Sequence, residues 1–137
     1  MKKIFLIIVF VLSVVSLQAQ SKDIIKFSLS SMRVAKCERN GNVGKYTTLI
    51  FTSGYILIDK RSSKIILNDK KNNLYNKWRY YDVYVEKTRE YDIYTYNCLD
   101  GGGIEYNIFI AIYSNNSINI GITDGKYFSR YDVWLDN

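Results

Sequence analysis

The sequence predicts an all-β fold: an antiparallel meander of about eight or nine short strands, closed as a small barrel or folded as a sandwich, behind an N-terminal signal peptide. Three observations predict it. Tyrosine supplies 13 of the 137 residues and isoleucine 18, and both side chains pack well on a pleated surface. Beyond the leader, apolar residues alternate with a period of 2 rather than 3.6. Turn signals recur at short spacing: Asn40-Gly41, Ser53-Gly54, Arg61-Ser62-Ser63, Asp100-Gly101-Gly102-Gly103, Asn115-Asn116 and Asp124-Gly125.

The leader comes first. Lys2-Lys3 is a short positive segment, Ile4 to Val15 is almost purely apolar, and Leu17-Gln18-Ala19 puts a small residue before a cleavage point. Residues 1–19 are therefore expected to be a signal peptide, and 20–137 a single all-β domain of about 118 residues. The net charge of +6 falls to +4 once Lys2 and Lys3 leave. No cysteine stands at the cut, so a lipoprotein anchor is not expected. No second long apolar segment follows, so the mature chain is expected to carry no transmembrane span. The expected compartment is secreted or periplasmic. Disulfides persist there, so Cys37 and Cys98 are expected to be bridged. Such a bridge closes a long loop and stabilises by about 4 kcal/mol in the chain-entropy account.

Strands are expected over Ile24–Lys36, Tyr46–Thr52, Tyr55–Lys60, Lys64–Leu67, Trp78–Lys87, Tyr91–Cys98, Ile104–Tyr113, Ile118–Thr123 and Lys126–Leu135, with Asn68–Lys77 as a polar loop. Register follows from the turns. A three-residue loop over Ser114–Asn116 sets Ile112 against Ile118, Ile110 against Ile120 and Ile108 against Ile122. A two-residue Asp124-Gly125 turn pairs Ile122 with Tyr127 and Ile118 with Tyr131. The resulting core face runs from Ile104 through the isoleucines to Tyr131, Val133 and Leu135.

Composition closes off several chemistries. Without histidine there is no Ser-His-Asp or Cys-His system and no imidazole metal ligand. Two cysteines do not make a four-thiolate zinc site, and Gly101-Gly102-Gly103 lacks the Lys-Ser/Thr of a phosphate loop. Neither a metal nor an organic cofactor is expected.

One short pattern recurs: Tyr81-Asp82-Val83-Tyr84, Tyr91-Asp92-Ile93-Tyr94 and Tyr131-Asp132-Val133-Trp134. Alternate residues of a strand share a face. If Tyr131 and Val133 point inward, the same rule turns Tyr81, Val83, Tyr91 and Ile93 inward. It leaves Trp78, Tyr80, Asp82, Tyr84, Asp92, Tyr94, Tyr96 and Trp134 on an outer face of rings and carboxylates. Rings stack on sugars and carboxylates accept hydroxyl hydrogen bonds. Tyrosine and tryptophan also favour protein interfaces. The leading expectation is therefore an exported, non-enzymatic binding module that presents this face to a glycan or a protein. Tyrosines paired across strands also stabilise a sheet without any ligand.

Basic residues gather within 60–79, which suits an anionic partner or a solvated edge. Nucleic acid is not expected for an exported chain. A glycosidase would need two carboxylates in a cleft, drawn from Glu86, Glu90, Glu105, Asp82, Asp92 and Asp100. An exported up-and-down barrel is also similar in architecture to lipocalin-like proteins. The early Gly-x-Trp of that family is missing here, and the first tryptophan is Trp78, after Asn76-Lys77. The similarity implies an alternative function, a barrel holding a small apolar ligand among its isoleucines.

Overall fold

Period-two alternation is realised in ten antiparallel strands across residues 23–136, the part of the chain that the computed structural model describes. The expected signal peptide and its cleavage point lie outside the described residues. The strands are β1 (Ile24–Cys37), β2 (Val43–Tyr46), β3 (Ile50–Phe51), β4 (Gly54–Asp59), β5 (Lys64–Asp69), β6 (Leu74–Lys87), β7 (Tyr91–Asp100), β8 (Glu105–Tyr113), β9 (Ile118–Thr123) and β10 (Tyr127–Asp136). Strands β4 to β10 pair in sequence order, and β1 joins β4 on one edge and β10 on the other. The sheet therefore closes into a barrel of eight strands, which settles the choice between barrel and sandwich.

Strand β1 is the seam. Most of its length pairs with β10, from Lys26 opposite Asp136 to Lys36 opposite Tyr127. Its other edge is shared in turn by β4, β3 and β2. The expected strand Tyr46–Thr52 is thus two short pieces with a break between them. Thr47 ends the first piece: its N–H donates to the Val34 carbonyl at 2.8 Å, and its Oγ1 accepts from the Val34 N–H at 3.1 Å. An extra residue at Ser30 bulges β1, and its carbonyl accepts from the Thr52 N–H at 3.1 Å. Bulges bend a strand, and a closing sheet needs such a bend. Gly54 opens β4 with φ of 117°, where a Cβ would stand 2.0 Å from the Asn68 carbonyl oxygen. Only glycine fits that approach.

The isoleucine ladder forms as expected: Ile112 faces Ile118, Ile110 faces Ile120 and Ile108 faces Ile122. Asn116 takes φ of 69° in the connecting loop, the left-handed residue that a three-residue hairpin requires. The next hairpin keeps its predicted faces but slips by two residues, so that Ile120 meets Tyr131 and Ile118 meets Val133. The cause is the Asp124 carboxylate, which accepts from the N–H groups of Lys126 at 2.9 Å and Tyr127 at 3.0 Å and so widens the turn. These contacts also hold the Asp124 carboxyl below its ordinary pKa, the Tyr127 bond contributing most.

The segment expected as a polar loop, Asn68–Lys77, instead completes β5 and begins β6, leaving a short turn between Asp69 and Leu74. Asp69 sits fully buried at that turn. Its carboxylate accepts from the Asn72 side-chain amide at 2.8 Å and the Asn72 N–H at 3.3 Å. Those two bonds offset the cost of removing a carboxylate from water.

The expected disulfide is not formed. Cys37 and Cys98 are both free thiols. They stand on β1 and β7, which lie opposite each other in the ring of eight, with three strands between them either way. The Cys98 thiol is buried in the core, and burial pushes it up to about 12. The Cys37 sulfur instead approaches Thr123 Oγ1 at 3.7 Å.

Candidate ligand-binding site at the barrel mouth

The interior is filled at one end and hollow at the other. At the filled end, Trp78 packs on Tyr106 with ring centroids 5.5 Å apart, among Leu67, Met32 and the fully buried Tyr131. Burial, with a smaller contribution from Asp69, raises the Tyr131 phenol well above its ordinary pKa. At the other end, inward residues of β1, β4, β7, β8, β9 and β10 surround a hollow of about 330 Å³. Phe27, Ile58, Tyr96 and Ile110 form its buried floor. Ile25, Tyr94, Ile112 and Ile118 form half-buried walls, and Leu135 and Lys60 stand at the rim. Water occupies about 30 Å³ per molecule, so the hollow suits a ligand of roughly ten non-hydrogen atoms.

The mouth is open because β6 leaves the barrel there. Pairing of β6 with β5 ends at Arg79 opposite Lys64, and one further bond joins the Tyr80 N–H to the Ser63 carbonyl at 2.9 Å. Tyr81 then bulges, and the rest of β6 continues along β7 alone among the described strands. Val83 and Val85 stand opposite Tyr96 and Tyr94, so this flange extends the apolar wall of the mouth.

The lining is chemically quiet. Tyr80 and Tyr96 meet edge to face at 5.1 Å. Burial, then the neighbouring Tyr80, push the Tyr96 phenol up to about 12, so it stays neutral at physiological pH. Charge is confined to the rim. The Lys60 N–H donates to the Asp23 carbonyl at 2.7 Å, and Arg61 pairs with the Asp23 carboxylate at 2.7 Å.

The expected outer aromatic–acidic face is not assembled. Trp78 is only 3% exposed, and Tyr96 is likewise in the core, with Tyr80 and Tyr94 packed against it. Asp92 is half-buried at the start of β7. Asp82 and Tyr84 do face solvent, on the flange. Trp134 is 55% exposed on β10, which lies across the ring from β6. Two local features overturned the expectation. Thr88 accepts at Oγ1 from the N–H groups of Glu90 and Tyr91, at 3.3 and 3.1 Å, and donates to the Tyr91 carbonyl. The loop so formed sets Val85 opposite Tyr94, which turns Tyr94 and Tyr96 inward where Tyr91 and Ile93 were expected. The bulge at Tyr81 then separates Trp78 and Tyr80 from Asp82 and Tyr84.

The remaining candidates are dispersed. Glu86, Glu90, Glu105 and Asp82 lie on open surface, and Asp92 and Asp100 are half-buried at strand ends. Among the described residues, no three carboxylate or thiol side chains gather in a way that suits a metal ion. Of the basic segment, Lys64, Lys77 and Arg79 line a shallow outer hollow beside Leu99. No known protein family matches the chain, and neither does a curated protein sequence or a solved structure.

Proposed function

We propose that the protein is an exported binder of a small amphipathic molecule, whose apolar part enters the barrel mouth while its polar head stays at the rim beside Lys60. The hollow among isoleucines carries this reading, since the rest of the barrel is packed. Apolar pockets of about 300 Å³ and more, with a few polar groups at one side, are the usual form of small-ligand sites. The signal peptide expected at residues 1–19 supports a secreted or periplasmic setting for this binding. The aromatic–acidic face has no comparable support, because its rings are divided between interior and surface.

The test is a chain-length series of saturated carboxylic acids, followed by calorimetry. Each buried methylene contributes about 0.8 kcal/mol, so affinity should rise about fourfold per carbon until the hollow is full. The rise should level off near eight to ten carbons, roughly the size set by the volume. Ile118→Trp, which places an indole in the hollow, should abolish binding while leaving the barrel folded. Affinity independent of chain length, or unaffected by Ile118→Trp, would overturn the proposal.

A further inference from the structure

A second hollow lies on the outside of the barrel, where apolar rings have no structural duty in the core. The register brings Phe109, Gly121 and Arg130 side by side across β8, β9 and β10, all pointing outward. Phe128 lies next to them and reaches toward β2. The end of its ring lies over Gly121: a Cβ there would stand 2.4 Å from Phe128 Cζ and 3.1 Å from Cε1 and Cε2. Glycine at this position therefore makes room for the ring. Phe109 and Phe128 stack with centroids 6.2 Å apart and planes 28° apart, and Tyr46 meets Phe128 edge-on at 6.5 Å. The result is an open groove of about 320 Å³ lined by the rings of Tyr46, Phe109, Tyr113 and Phe128.

One side of the groove is polar and ordered. Ser31 Oγ donates to Asp132 Oδ2 at 3.0 Å. The Asn119 amide, oriented by its hydrogen-bond network, donates to Asp132 Oδ1 at 2.5 Å and accepts from Arg130 Nη2 at 3.0 Å. The guanidinium of Arg130 is thereby fixed at the groove. Directly opposite, on the same outward face, stands Arg33. Like charges placed directly across two strands destabilise a sheet. Asp132 is one carboxylate beside two guanidiniums, and among the described residues it forms no ion pair with either, so it offsets this in part only. An anion bound between the two guanidiniums removes the conflict, and arginine matches a carboxylate with two parallel hydrogen bonds.

We infer that this outer groove binds an acidic glycan through its uronate units, with the sugar ring on Phe109 and Phe128 and the carboxylate at Arg130 and Arg33. The groove volume suits about one sugar ring at a time, and its open form lets a chain continue past both ends. The site is separate from the barrel mouth and does not rest on the function proposed for it.

The experiment titrates the protein with uronate tetramers of the galacto and manno series, and with their fully methyl-esterified forms, by calorimetry at low and high salt. At least one acid tetramer should bind, and its ester at least about tenfold more weakly, since the ester keeps the ring and loses the charge. Arg130→Gln and Arg33→Gln should each lower affinity about tenfold without lowering the melting temperature. Phe128→Leu, which keeps apolar bulk without a flat face, should weaken binding as well. Lys77→Gln, on the far wall, should leave affinity unchanged. Failure of both acid series to bind, equal binding of acid and ester, or equal losses for Lys77→Gln and Arg130→Gln would each overturn the inference.

Discussion

The two ends of the barrel are built from the same kind of inward-facing residue and finish in different states. Trp78 and Tyr131 are buried in the core, Tyr106 packs against Trp78, and these rings from β6, β10 and β8 fill that end. At the mouth isoleucines alternate with the rings of Phe27, Tyr94 and Tyr96, and a hollow of about 330 Å³ remains. An eight-stranded barrel is just wide enough for side chains to fill. The mouth carries rings as well, so side-chain type alone does not fill it; it stays hollow where β6 leaves β5 and continues along β7 alone among the described strands.

The sharpest break in this contrast is Trp78→Ala. Removing the plug should cost about 3–5 kcal/mol, read as a fall in the urea midpoint, because the surrounding strands collapse only partly. A small loss would mean that the filled end is held by its backbone alone.

Alkaline pH tests the same interior by a different route. Cys98 and Tyr96 are harder to ionise in the folded chain than in the unfolded one. Their contribution to stability is therefore intact below the ordinary values of 9.0 for the thiol and 10.0 for the phenol. It is lost as pH climbs toward about 12. The melting temperature should be flat near neutrality and fall above pH 9, and Cys98→Val should delay the onset. In the same samples, alkylation of the native protein followed by mass measurement should label Cys37 and spare Cys98. Both thiols should react once the protein is denatured. A native mass showing a bridge would contradict the free thiols.

Ile118→Ala, at the half-buried wall of the mouth, should cost under about 2 kcal/mol, less than an equivalent truncation at the plug. A loss as large as that of Trp78→Ala would mean that the mouth is as tightly packed as the base. Smallest of all, Tyr84→Ser on the exposed flange should change stability by no more than about 0.5 kcal/mol. A larger effect would show that the flange is part of the folded core.

Much of the fold was legible because alternation is a local property. The register of Ile108, Ile110 and Ile112 against β9 follows from one loop and one apolar face. The β6–β7 pairing was not legible. It depends on hydroxyl bonds of Thr88 and on one extra residue at Tyr81, and neither leaves a trace in hydropathy. The mouth was half legible: Ile110, Ile112, Ile118 and Leu135 stood on the predicted core face, but nothing local says whether a core face is covered. The groove of Phe109, Phe128 and Tyr46 was missed because its members come from β8, β10 and β2. The pairing of Gly121 with Arg130, and the ring of Phe128 above it, was the signal, and it exists only after the register is known.

Residue order alone was enough to specify most strands, the β8–β9 hairpin and the inward side of β8, β9 and β10, since these need only neighbours along the chain and across one turn. Closure of β1 on β10, the swing of β6 away from β5, the separation of Cys37 from Cys98 and the positions of the barrel mouth and the outer aromatic groove were fixed in three dimensions. They arise where elements distant in the chain meet, and there steric reach and side-chain hydrogen bonds outweigh hydrophobic pattern.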